Sequence, residues 1–157
     1  MEKGFTEGVF QVGVLVSDVD ECLRLFCGAL GMKVVFDVRN QIQPASELSG
    51  NDHQVMNVLM LHGKDGVDLE IHQYVEPKAK AAPPMNHNEI GSIHFMLRVD
   101  DIHAVVEKIE ALGYKLMSPV VESSHIPGFK FTYFRGPDGM MVELHEGLCV
   151  MPKEDKQ

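Results

Sequence analysis

Two glutamates, a histidine and a glutamine stand at repeating places in this chain, and brought together they would make a donor set for a metal ion. Glu70 lies in the phrase Asp-Gly-Val-Asp-Leu-Glu-Ile-His over residues 65–72. Glu143 lies in Asp-Gly-Met-Met-Val-Glu-Leu-His over residues 138–145. Gln11 and His94 each open another shared stretch, with an aspartate seven residues later, Asp18 and Asp101. One imidazole, two carboxylates and one amide oxygen make a mixed nitrogen and oxygen set. Such a set suits a divalent ion with room for water, such as Ni²⁺, Co²⁺, Mn²⁺, Fe²⁺ or Zn²⁺. With no thiolate at these places, a structural zinc knot is disfavoured.

The spacing shows how these residues are positioned. Gln11 and His94 are 83 positions apart, as are Asp18 and Asp101. Glu70 and Glu143 are 73 apart, as are Gly66 and Gly139. Self-similarity at long period means one unit built twice, the first copy being ten residues longer in its middle. Residues 9–16 alternate, with Val12, Val14 and Val16 on one face and Gln11, Gly13 and Leu15 on the other. Ser17-Asp18 is a helix cap, followed by Val19, Cys22, Leu23, Phe26 and Leu30 at helical spacing, with Gly31 as the stop. A strand is expected at 33–38, a polar loop at 41–51, and a hairpin of 55–61 and 67–74 around Gly66. The second unit repeats this: strand 93–99, a helix capped at Asp100-Asp101, a short strand 114–117, a loop 118–128, and a hairpin of 129–134 and 140–145.

The fold class is therefore α+β: two βαβββ modules, residues 9–74 and 90–147, joined by a Pro-containing linker at 75–89 within a single domain. Apolar residues Leu69, Ile71, Phe95, Leu97, Val99, Val142 and Leu144 suit packing against the helices. The opposite faces carry Gln11, Asp68, Glu70, His72, His94, Arg98, Glu143 and His145. Two such sheets paired edge to edge would curl into a mixed-sheet trough with this polar lining, which is costly unless it binds something.

Composition narrows the partners. A net charge of −9 disfavours nucleic acid and anionic membrane. No apolar run is long enough to span a bilayer, no basic-then-apolar leader follows Met1, and Cys22, Cys27 and Cys149 form no Cys-x-x-Cys pair. These features lead us to expect a cytoplasmic protein with reduced thiols and a frayed tail at 152–157.

The pattern resembles the vicinal oxygen chelate superfamily of glyoxalases, bleomycin resistance proteins and dioxygenases. The resemblance spans residues 9–147. It is carried by Gln-Val-Gly-Val-Leu-Val-Ser-Asp at 11–18, Phe-Cys-Gly-Ala-Leu-Gly-Met at 26–32, Gly-Ser-Ile-His at 91–94 and Gly-Pro-Asp-Gly-Met-Met-Val-Glu at 136–143. It implies the trough fold and one divalent ion held by Gln11, Glu70, His94 and Glu143, a set similar to that of glyoxalase I. The activity implied is a lyase or isomerase acting on a small-molecule carbonyl substrate through an enediolate, with Glu143 as base and Glu70 returning the proton. Glyoxalase I holds glutathione with arginines where this chain has Leu15 and Ile90, and with an asparagine where it has Tyr74. Without those charge-assisted clamps, glutathione is disfavoured. An epimerase of a carbonyl compound or acyl thioester, similar to methylmalonyl-CoA epimerase, is the alternative; a drug- or metabolite-binding resistance protein without catalysis is another.

His72 and His145, two residues beyond the glutamates, are candidate substrate contacts, as are Arg98, Tyr133 and Arg135. Met56, Met60, Met96 and Met141 are candidate lining. His53, His62, His87, His103 and His125 read as surface residues. The free edges of the opening strands and the length of the linker lead us to expect a homodimer, with the site within one chain or shared between two.

Overall fold

A computed structural model describes residues 8–43, 50, 53–64 and 66–148. Asp65, Cys149, the tail at 152–157 and most of the loop expected at 41–51 lie outside them. The chain divides into two compact units, Met1–Ala82 and Pro83–Gln157.

The first unit begins with β1, Gln11–Leu15, and then the helix α1, Val19–Cys22. Asp18 caps α1, accepting from the backbone N–H groups of Asp20 and Glu21 at 2.8 and 3.2 Å. The helix continues as a π-helix over Leu23–Ala29. Three strands follow: β2 (Lys33–Gln43), β3 (Gln54–His62) and β4 (Asp68–Glu76). β2 runs five residues past the expected strand end, because pairing with β3 resumes at Gln41 after an irregularity at 38–41. The sheet order is β1-β4-β3-β2, with β1 parallel to β4 and the rest antiparallel. Val16, Val19, Cys22, Leu25, Phe26, Leu59, Leu61, Leu69 and Ile71 are its buried core.

The second unit repeats the plan with β5 (His94–Val99), α2 (Ile102–Ala111), β6 (Val121–Glu122), β7 (Lys130–Arg135) and β8 (Met141–Glu146). The order β5-β8-β7-β6 matches the first sheet strand for strand. Asp101 caps α2 through the Ala104 N–H at 3.0 Å. Ile102, Val105 and Ile109 of α2 are buried, as are Thr132, Phe134, Val142 and Leu144 on the sheet. The short strand expected at 114–117 is a single bridge, Leu116 to Phe134, and the paired strand falls at β6 instead. A short edge strand carries little hydrophobic alternation, so its place is set by β7 rather than by its own residues.

The segment read as a linker is divided. Residues 75 and 76 finish β4, while 84–89 pack on the second unit. There Arg135 donates to the carbonyls of Met85 (2.7 Å) and Gly139 (2.9 Å), clamping this strap to the β7–β8 turn. Glu89 accepts from the Asn86 backbone N–H at 2.6 Å and from its side-chain amide at 3.1 Å, closing a turn in the strap. Gly139, at φ 75°, meets Pro84 so closely that a Cβ there would lie 2.3 Å from the proline Cγ. Among the described residues no helix is long and apolar enough to cross a membrane.

Candidate functional site

Each sheet turns one face to its helix and one away, and the polar residues lie on the second face. Side chains alternate along a strand, so burying Leu69, Ile71, Val142 and Leu144 forces Glu70, His72, Glu143 and His145 to the other side. The two modules place their candidate ligands by the same rule. Gln11 pairs in register with Asp68, two residues before Glu70, and His94 pairs with Met141, two residues before Glu143. Each first-strand donor therefore meets its glutamate across the diagonal of a parallel pair, a distance that long side chains can close.

In the first module the Gln11 amide nitrogen donates to Glu70 Oε2 at 2.7 Å. That bond takes the amide nitrogen and leaves the amide oxygen unspent on Glu70. His72 Nε2 lies 3.1 Å from the same carboxylate oxygen, without hydrogen-bond alignment. This buried ring nitrogen has no hydrogen-bond partner. On the same face, the His62 ring pairs with the Asp68 carboxylate, so this histidine is partnered at the hairpin end rather than loose on the surface. Met60 and Met56 stand on the same face of β3, opposite Glu70 and Tyr74 in register.

In the second module His94 Nε2 lies 3.2 Å from Glu143 Oε2. Glu143 is only 7% exposed. Tyr133 is its cross-strand register partner; burial first, and then this acid, push the phenol up to about 12. It therefore stays a neutral donor at physiological pH. His145 is 8% exposed, its ring centroid 5.3 Å from that of Phe129, and its Nδ1 has no hydrogen-bond partner. Burial and the Arg98 charge hold this imidazole below its ordinary range against the opposing pull of Glu143. Arg98 is its register partner on β5.

Donors in adjacent positions around a divalent ion, each about 2.0–2.1 Å from it, stand roughly 2.9–3.4 Å apart. The separations His94–Glu143 (3.2 Å) and His72–Glu70 (3.1 Å) fall in that interval. The orphaned nitrogen of His72 also fits a set in want of a cation. Among the described residues, no three of His, Cys, Asp and Glu come together closely enough to hold an ion by themselves.

The sequence of residues 8–144 matches the model of the glyoxalase/bleomycin resistance protein/dioxygenase superfamily. The chain belongs to that superfamily. Its members are also called vicinal oxygen chelate proteins, and the βαβββ repeat is their fold. A glyoxalase family protein from Bacillus cereus is similar in structure, with a TM-score of 0.81 and 23% identity over 94% of this chain and 99% of that one. The trypanothione-dependent glyoxalase I of Leishmania major has a TM-score of 0.59 and 18% identity, over 90% of this chain and 87% of that one. A fosfomycin resistance protein of Listeria monocytogenes, solved with Mn(II) and a sulfate ion, has 0.55 and 14%, over 92% and 96%. No curated protein matches the sequence.

Two placements were not legible in advance. Arg135, read as a substrate contact, has its guanidinium on two backbone carbonyls of the strap and turn. His87, read as a surface residue, is exposed yet packs its ring on His94 and Tyr133. The only sequence signal for His87 was its place after Pro83-Pro84 and seven residues before His94, which says nothing of direction.

Proposed function

We propose that this vicinal oxygen chelate protein is a divalent-metal-dependent isomerase or lyase of the glyoxalase type, acting on a small carbonyl compound. The observation that carries the reading is the His94–Glu143 pair, at metal-edge spacing with Glu143 buried and Tyr133 opposite it across the strands. Gln11, Glu70, His94 and Glu143 would hold the ion, with His72 as a further donor beside Glu70. A bound divalent ion would supply Lewis acidity that stabilises negative charge on a substrate carbonyl oxygen.

The chain's own residues divide the remaining work. Glu143 accepts the proton from the carbon next to the carbonyl, and Glu70, in its protonated form, returns a proton to the deprotonated substrate to complete the product. The Tyr133 hydroxyl, on the strand facing Glu143, would hold that carboxylate in one orientation. His145, with its orphaned Nδ1, and Arg98 beside it offer a hydrogen-bonding and a cationic group to an anionic end of the substrate. Arg135 serves the site through the strap it clamps.

Two observations favour an epimerase of a carbonyl compound or acyl thioester over a glutathione-dependent lyase. Leu15 and Ile90, at the places of the glutathione arginines, are exposed apolar residues, so neither place offers a cation. Tyr74, at the place of the asparagine, lies on the Glu70 face of β4 without an amide to offer.

The test is solvent deuterium exchange at the carbon next to the carbonyl, run with Ni²⁺, Co²⁺, Zn²⁺ or Mn²⁺ on 2-substituted acyl thioesters and on methylglyoxal with glutathione. Metal-dependent exchange that Glu143→Gln lowers by about 10²–10⁴-fold supports the reading. Tight binding of a compound without exchange under any ion would instead place the chain among binding-only members. Equal exchange by wild type and Glu143→Gln would remove Glu143 as the base.

A further inference from the structure

The strap at 84–89 brings a third aromatic ring to the His94–Glu143 pair. The His87 ring stacks on His94, centroids 5.4 Å apart and planes 27° apart, and meets the edge of Tyr133 at 5.3 Å. His94 in turn meets Tyr133 edge-on at 5.5 Å. The three rings form one closed cluster. Its position is fixed by contacts on both sides of His87: Pro84 against Gly139 and Met85 O on Arg135 before it, and the Asn86–Glu89 turn around it. A strap with that many anchors does not set a ring over a ligand face by wandering there.

We infer that His87 is a positioning residue for His94: its ring fixes the orientation in which His94 Nε2 faces Glu143. An exposed imidazole on an edge strand has a broad torsion about its ring bond, and β5 is an edge strand whose His94 is 38% exposed at its side chain. Tyr133 limits one side of the ring, and the flat stack of His87 limits its tilt. Offset stacks of this kind stabilise one arrangement over others by a modest amount beyond the area they cover. The chemistry needs only the flat ring of His87. Its nitrogens play no part, so an aromatic ring without them should serve.

This inference rests on the metal reading for its functional meaning, but the ring orientation can be measured without metal. The experiment compares wild type, His87→Ala and His87→Phe. In metal-free protein, the His94 ring signals in a carbon–proton correlation spectrum should move in His87→Ala and stay close to wild type in His87→Phe. In titrations with Co²⁺ or Ni²⁺, the dissociation constant should rise about twofold to tenfold in His87→Ala and recover in His87→Phe. Unmoved His94 signals in His87→Ala would overturn the inference, and so would His87→Phe behaving like His87→Ala. A wild-type protein that binds neither ion would count against the proposed function alone, since the metal-free spectra would still decide the role of His87.

Discussion

Replacing Gly139 by alanine tests whether the strap is held where the site needs it. Gly139 adopts φ 75°, in the left-handed region, and an added Cβ would lie 2.3 Å from Pro84 Cγ and 2.8 Å from its Cβ. Carbon atoms approach comfortably to about 3.5–4.0 Å, so Pro84 must retreat by roughly 1.2–1.7 Å. Gly113 provides the control, because it has φ 93° and nothing within 4 Å of its would-be Cβ. Both variants carry the left-handed backbone cost of about 1–2 kcal/mol. For a chain of 157 residues, each kcal/mol lowers Tm by about 2–4 °C, so each variant should lose roughly 2–8 °C. Only Gly139→Ala should also displace the strap, loosening Met85 from Arg135 and His87 from His94. The assay is thermal unfolding alongside the ring signals of His87, His94 and Tyr133. Ring signals equally unchanged in Gly113→Ala and Gly139→Ala would refute the anchoring argument.

Three further outcomes are expected. Thr132→Val should cost about 1–3 kcal/mol by denaturant unfolding, because the fully buried hydroxyl donates to Ser118 O at 2.8 Å and its loss strands that carbonyl. Glu146 accepts from the Ile102 N–H and the Lys130 ammonium, each at 2.9 Å, and these bonds hold its carboxyl below the ordinary 4.5. A folded value below the unfolded one means stability present above the unfolded value and lost as pH falls through the folded one; Tm measured from neutral pH downward should therefore fall less steeply in Glu146→Gln than in wild type. We further propose a homodimer built on the edge strands β1 and β5, beside which Val9, Phe10 and Ile93 are more than two-thirds exposed. Light scattering should give twice the monomer mass, and if two chains share each site, mixing Glu70→Ala with Glu143→Ala should restore activity absent from either alone.

The repeat itself could be read from residue order. A glutamate at the same step of two hairpins, and a glutamine and a histidine at the same step of two opening strands, required no coordinates, because side-chain alternation along a strand is set by the backbone and not by its surroundings. The same alternation separated Leu69, Ile71, Val142 and Leu144 from the polar face, and all four are buried as expected. Cap chemistry located both helix starts, at Asp18 and Asp101, since a carboxylate beside unpaired backbone N–H groups acts locally.

Tertiary structure decided whatever depended on a partner distant in sequence. The position of β6 follows from pairing with β7, and the length of β2 from pairing with β3. Arg135 was a free cation until the strap presented two carbonyls to it. His72 was a neighbour of Glu70 by spacing, but only the packed sheet buried its Nε2 without a partner. His87 shows the limit most clearly: seven residues before His94, in a stretch of prolines and polar residues, nothing in the order of the chain points its ring anywhere. Its direction comes from Pro84 seated on Gly139 and Met85 tied to Arg135, contacts across some fifty residues of sequence whose energies exist only once both segments are folded.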